Sequence, residues 1–303
     1  MNKINKCVRC FVSIALLLLL FACEKYDVQT ISYKEFEPFI KAPTPTENDK
    51  QIFNLDAEGI SKTVVTDNGD TLSGFATNNK KFFTLVVDLI LKKYVEELKK
   101  QSPTEAINNL AIFSHQVYQN YFGKGFYRWG GDIFDLDHPQ KRGSSYNKLY
   151  GLDCSGFVNM PYELAVHYGI LDSLAESSVF SSKGFKEFSL KTGLEDGGGR
   201  NKTSNHYRID TYDIFRLGRL VTTIEAGTFP SDEQMKMLQP GDLVGRSGHV
   251  GMIVKINNEL YYLESGGRVL PNNGYKPADA KNALAIFAAR RPVYIRRSLP
   301  DRN

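Results

Sequence analysis

Cysteine is scarce in this 303-residue chain, and the positions of the four matter more than their number: Cys7, Cys10, Cys23 and Cys154. Tryptophan occurs once and histidine five times, so the side chains able to move protons near neutral pH can be weighed one by one. No strong charge of one sign is present: 38 basic residues face 34 acidic ones. That balance is too even for an electrostatic footprint on nucleic acid, and no nucleic-acid partner is expected. Long apolar runs are lacking apart from Phe11 to Ala22, which excludes a polytopic membrane protein. Disorder is excluded as the main state, because hydrophobic residues make up 42% and aromatics 12%. Beyond the Cys7/Cys10 pair near the N-terminus no closely spaced set of His and Cys exists, so neither a metal site nor another cofactor is expected. There is no internal repeat.

What is present begins with an address. Lys3, Lys6 and Arg9 precede the apolar run Phe11 to Ala22, which is too short to span a bilayer and suits the core of an export signal. It ends in Leu20-Phe21-Ala22-Cys23, which resembles a bacterial lipobox. That resemblance implies lipidation of Cys23, removal of residues 1–22 and a place in the cell envelope, on the periplasmic face of the outer membrane. Without Lys3, Lys6 and Arg9 the remaining chain is within one charge of neutrality. Cys7 and Cys10 leave with the signal, Cys23 is consumed by lipid, and Cys154 is left as the single free thiol.

The rest divides by composition. Residues 23–50, with Pro38, Pro43 and Pro45, read as an extended tether largely without a core. Residues 51–102 read as a hairpin around Asn68-Gly69 and then an amphipathic helix over 80–100. Ser102-Pro103-Thr104-Glu105 is a capping box that opens a helix to about Tyr121. A further helix is predicted from Cys154 to about His167, bent or shortened at Pro161. Residues 170–230 are mixed and polar. From Leu238 the pattern is β: Leu243-Val244, His249 to Ile256 and Glu259 to Glu264, with Asn257-Asn258 as the hairpin between the last two and Val293 to Ile295 as a closing strand. The arginines flanking that last strand, Arg290-Arg291 and Arg296-Arg297, read as a solvated sheet edge.

The chemistry-bearing residues are few. Cys154 lies in Gly151-Leu152-Asp153-Cys154-Ser155-Gly156, where small neighbours leave room for a peptide backbone. At a helix N-terminus the free N–H groups and the helix dipole favour a thiolate. His249 opens a strand and can hold the thiol's proton and return it to a leaving amine. Glu264, on the partner strand of that hairpin, is within reach to orient the imidazole, since adjacent strands lie about 4.8 Å apart.

Four blocks, in order, resemble the NlpC/p60 cell-wall cysteine peptidases, a papain-like family. They are Tyr127-x-Trp129-Gly130-Gly131, Asp153-Cys154-Ser155-Gly156-Phe157-Val158, Leu238-Gln239-Pro240-Gly241-Asp242-Leu243-Val244 and Gly248-His249-Val250-Gly251-Met252-Ile253. The resemblance covers about 105–297. It implies an α+β fold with an antiparallel sheet packed against the nucleophile helix. It makes Cys154 the nucleophile, His249 the base and acid, and Tyr127 a hydroxyl beside the oxyanion. Asp153 and Ser155 would help to recognise the free amino end of a stem peptide. Trp129 is placed on the substrate side, with packing as its alternative role. Where the family usually carries His as third residue, this chain has Glu264.

The expectation is therefore residues 1–22 as signal, 23–50 as tether, 51–102 as an N-terminal extension, and 103–303 as a catalytic domain with an insertion at about 170–230. Its activity would be hydrolysis of an amide in peptidoglycan stem peptides, of the D-Glu–diamino-acid type, through a thioester on Cys154. Its partners would be that peptide and, through Cys23, a membrane; the oligomeric state is not legible. Two other readings stand beside it: a non-catalytic wall-binding lipoprotein, and an amidase or acyltransferase acting on a non-wall substrate.

Overall fold

The computed structural model describes residues 28–48, 63–65, 71–73, 83–122, 153–194, 209–265 and 276–301. The signal at 1–22, Cys23, Tyr127 and Trp129 lie outside the described residues. In chain order, strands β1 (Thr63–Val65) and β2 (Thr71–Ser73) pair antiparallel as the hairpin expected there. The predicted helix over 80–100 is instead three pieces: a π-helical stretch at Phe83–Asp88, then α1 (Leu89–Leu91) and α2 (Val95–Lys100). Between α1 and α2 the N–H groups of Lys93 and Tyr94 bond three residues back, which tightens the turn. The apolar face nonetheless continues through Val87, Leu91 and Leu98, all buried.

Helix α3 (Pro103–Val117) starts with the predicted capping box, Ser102 and Glu105 bonding each other's backbone N–H. Its Ile107, Leu110, Ala111 and Ser114 are buried, as the periodicity requires. Helix α4 (Cys154–His167) carries the thiol in its first turn and runs uninterrupted through Pro161, so the predicted shortening does not occur. The polar stretch that follows holds α5 (Ser182–Thr192), α6 (Thr211–Ile214) and a strand, β3 (Arg219–Ile224). Then come α7 (Asp232–Met237), β4 (Leu243–Arg246), β5 (His249–Ile256), β6 (Glu259–Leu263), β7 (Ala278–Asp279), α8 (Ala280–Ala288) and β8 (Val293–Arg297).

The six-stranded sheet has the order β3-β8-β4-β5-β6-β7, antiparallel at every pairing. The fold is thus α+β, with helices on both sheet faces. Period-two alternation divides the residues. Leu243, Val250, Met252, Val254 and Leu263 join the core shared with α3 and α4, whereas Val244, Ile253, Tyr262 and Ile295 join the core under α8. Asn257 and Asn258 both have positive φ, 49° and 69°, which is the left-handed pair that a two-residue hairpin needs.

Two sequence expectations are corrected. Strand β8 is not an edge: β3 covers its outer side, because the chain returns to the sheet before β4. Arg290 and Arg291 are exposed as expected, but Arg297 is buried and forks onto Asp242, with Nε to Oδ1 at 2.6 Å and a terminal nitrogen to Oδ2 at 2.8 Å. The second correction concerns the tether. Residues 28–43 dock on the domain: Thr30 bridges Ala278 at the β7 edge, Ile31 and Ile40 are buried, and the Ala42 N–H donates to Gln116. The Tyr33 hydroxyl lies 2.6 Å from His115 Nδ1. Enough apolar side chains lie among the prolines for this segment to bury itself. Among the described residues no helix is long and apolar enough to cross a membrane.

Candidate active site

The site is assembled where the start of α4 meets the start of β5. Asp153 is the N-cap of α4, and its Oδ1 accepts from the Gly156 N–H at 2.7 Å and from the Ser155 hydroxyl at 2.8 Å. Cys154 is therefore the first helical residue, 4% exposed, at the positive end of a fourteen-residue helix. Three polar side chains of α4 lock the helix in place. Asn159 donates to the carbonyl of Ile209, Tyr162 donates to the carbonyl of Gly241, and Glu163 accepts from the Ser182 N–H. Gly241 has φ +87°, and a Cβ there would fall 2.5 Å from Leu299 and 3.2 Å from the Tyr162 hydroxyl. The Pro240-Gly241-Asp242 turn is thus shaped to receive α4.

His249 is 3% exposed and its Nε2 lies 2.5 Å from Glu264 Oε2, just beyond the end of β6. Glu264 is fully buried. Tyr262, two residues earlier on the same sheet face, donates its hydroxyl to the same Oε2 at 3.2 Å. The His249 ring meets Phe287 of α8 edge-on, with centroids 5.5 Å apart. With Nε2 committed to Glu264, Nδ1 is the nitrogen left for the thiol; it is buried and makes no hydrogen bond of good geometry. Burial disfavours the imidazolium, but Cys154 and Glu264 together outweigh burial and raise His249 from 6.5 to about 9. The ring therefore holds its proton at neutral pH.

The structure brings together Cys154, His249 and Glu264, the three residues that the sequence singles out for nucleophile, base and orienting group. Asp153 and Ser155 are placed beside the thiol, buried and bonded to each other as the helix cap. Among the described residues no cluster of His, Cys, Asp or Glu could hold a metal ion. Sequence reasoning passed over Tyr262 and Phe287. For Tyr262 a signal existed, since residues two apart on a strand share a face. For Phe287 none did, because its helix was not foreseen.

A buried thiol at a helix N-terminus, an imidazole beside it and a carboxylate on the far ring nitrogen can form and resolve a thioester: attack, proton transfer to the leaving group, then hydrolysis. No protein-family model, curated protein or solved structure matches the chain.

Proposed function

We propose that this chain is a papain-like cysteine hydrolase of the NlpC/p60 type, which cuts an amide in peptidoglycan stem peptides. The observation that carries the reading is the arrangement around His249, with Glu264 on one side of the ring and Cys154 at a helix N-terminus on the other. Cys154 Sγ attacks the amide carbonyl, and the developing oxyanion meets the free N–H groups of the α4 first turn. The C–N bond breaks as the His249 imidazolium gives its proton to the leaving amine. A thioester remains on Cys154, water enters with His249 as base, and the acid and the free thiol are released. Glu264 stabilises the imidazolium throughout and does not itself need to take up a proton.

The substrate class and the location belong to the same proposal. The D-Glu–diamino-acid amide is the expected bond, and a lipid on Cys23 would hold the enzyme at the envelope membrane where such peptides occur. The test is incubation of the purified protein with muropeptides, followed by mass spectrometry. The expected result is a pair of products that gain one water between them and are lost in Cys154→Ala. Intact muropeptides, together with a Cys154 that iodoacetamide does not label, would refute the reading.

A further inference from the structure

Glu264 Oε2 accepts from two donors at once, His249 Nε2 at 2.5 Å and the Tyr262 hydroxyl at 3.2 Å. Two donors on one carboxylate oxygen divide its charge between them. Tyr262 is wholly buried, and its ring can occupy that place only because residue 251 on the neighbouring strand is glycine. A Cβ at Gly251 would lie 2.3 Å from two ring carbons of Tyr262 and 2.4 Å from its hydroxyl. The absence of a side chain on β5 is thus matched to the presence of a ring from β6. Burial, then the Glu264 charge, push the Tyr262 hydroxyl well above its usual range, so it is a fixed donor at any working pH.

We infer that Tyr262, seated over Gly251, is a positioning residue that fixes the Glu264 carboxylate against His249 and limits how tightly that carboxylate holds the imidazolium. The inference rests on the hydrolase reading for its purpose. An imidazolium gripped too strongly by its carboxylate is a poor acid for the leaving amine, and one left without a carboxylate is poorly oriented. A second donor on the carboxylate sets a value between these limits.

Among the described residues, few groups face His249. Cys154 approaches from α4 and Glu264 from the end of β6, while Phe287 from α8 carries no charge. Tyr262 acts through Glu264. The Arg246 guanidinium from β4 lies over the Phe287 ring, 4.9 Å from its centroid, and donates to the carbonyls of Phe287 and Arg291.

The experiment is an NMR titration of His249, with nitrogen-labelled histidine, in the wild type, Tyr262→Phe, Gly251→Ala and the double variant. Tyr262→Phe keeps the ring and removes only the donor, so a larger share of the Glu264 charge falls on His249. The expected result is a His249 midpoint about half a pH unit higher. Gly251→Ala displaces the ring and should give a shift of the same sign, and the double variant should show no further change. Muropeptide turnover, read alongside, should show a lower kcat in Tyr262→Phe with KM unchanged. A folded Tyr262→Phe whose His249 titrates as in the wild type overturns the inference, as does a downward shift. Should Tyr262→Phe not fold, Gly251→Ala decides by the same criterion. A wild type that titrates as described, yet turns over no muropeptide and is not labelled by iodoacetamide at Cys154, overturns the hydrolase reading alone, because the midpoint comparison does not depend on a substrate.

Discussion

Replacing Glu264 by glutamine is the sharpest perturbation of this site, because it removes a charge while keeping size and an acceptor for Nε2. His249 is raised from 6.5 to about 9 although burial acts against its charged form. That gap corresponds to about 3 kcal/mol in favour of the imidazolium, so the combined pull of Cys154 and Glu264 exceeds it. With glutamine in place the burial remains and only Cys154 is left to oppose it. The His249 midpoint should then fall by about one pH unit or more. The same shift has a thermodynamic consequence. A histidine whose folded midpoint lies above its unfolded one contributes stability that is complete below about 6.5 and is lost as pH rises through about 9. Wild-type urea midpoints should therefore decline across that window, and Glu264→Gln should flatten the decline. The assays are histidine NMR and urea unfolding at pH 6, 7, 8 and 9. A His249 midpoint that stays within about 0.3 pH unit of the wild type would refute the claim that Glu264 is its charge partner.

Two further outcomes follow from buried polar groups near the site. Arg297→Met removes the guanidinium but leaves Asp242 buried, and it should cost about 3–5 kcal/mol in urea unfolding, with the Asp242→Asn/Arg297→Met double variant recovering part of the loss. Asp153→Ala removes the cap of α4 and should cost about 1–2 kcal/mol, whereas Asp153→Asn, which caps equally well, should retain most of the stability.

The legible parts of the fold share one property: their signals are local. Ser102 and Glu105 announce a helix start within four residues, and they form the capping box. Asn257-Asn258 between two β-prone runs announces a hairpin, and both residues take the left-handed conformation. Asp153 before Cys154-Ser155-Gly156 announces a helix N-terminus and with it the place of the thiol. What was not legible depends on residues far apart in the chain. Helix α8 hides because its polar residues, Lys281 and Asn282, are confined to the first turn, and the run from Ala283 to Ala288 is apolar throughout, its burial decided by the sheet it packs on. The arginines around β8 read as a wet edge until β3, more than sixty residues earlier, is found to cover it. The docking of residues 28–43 depends on partners such as His115, Gln116 and Ala278, which no local pattern can name.

The site escapes this limit because its parts sit at element ends that local signals do mark. A cap fixes Cys154 at the first turn of α4, a glycine turn fixes His249 at the first residue of β5, and a two-residue hairpin fixes the register of β6 against β5. Once Ile253 pairs with Tyr262 and Met252 with Leu263, extending the register by one more pair sets Glu264 across from Gly251 on the face that carries His249. A slip of one residue would turn Glu264 to the opposite face. The triad therefore depends on the tightness of the Asn257-Asn258 turn as much as on the identity of its three side chains, and an inserted residue in that turn would separate Glu264 from His249 while leaving all three in the sequence.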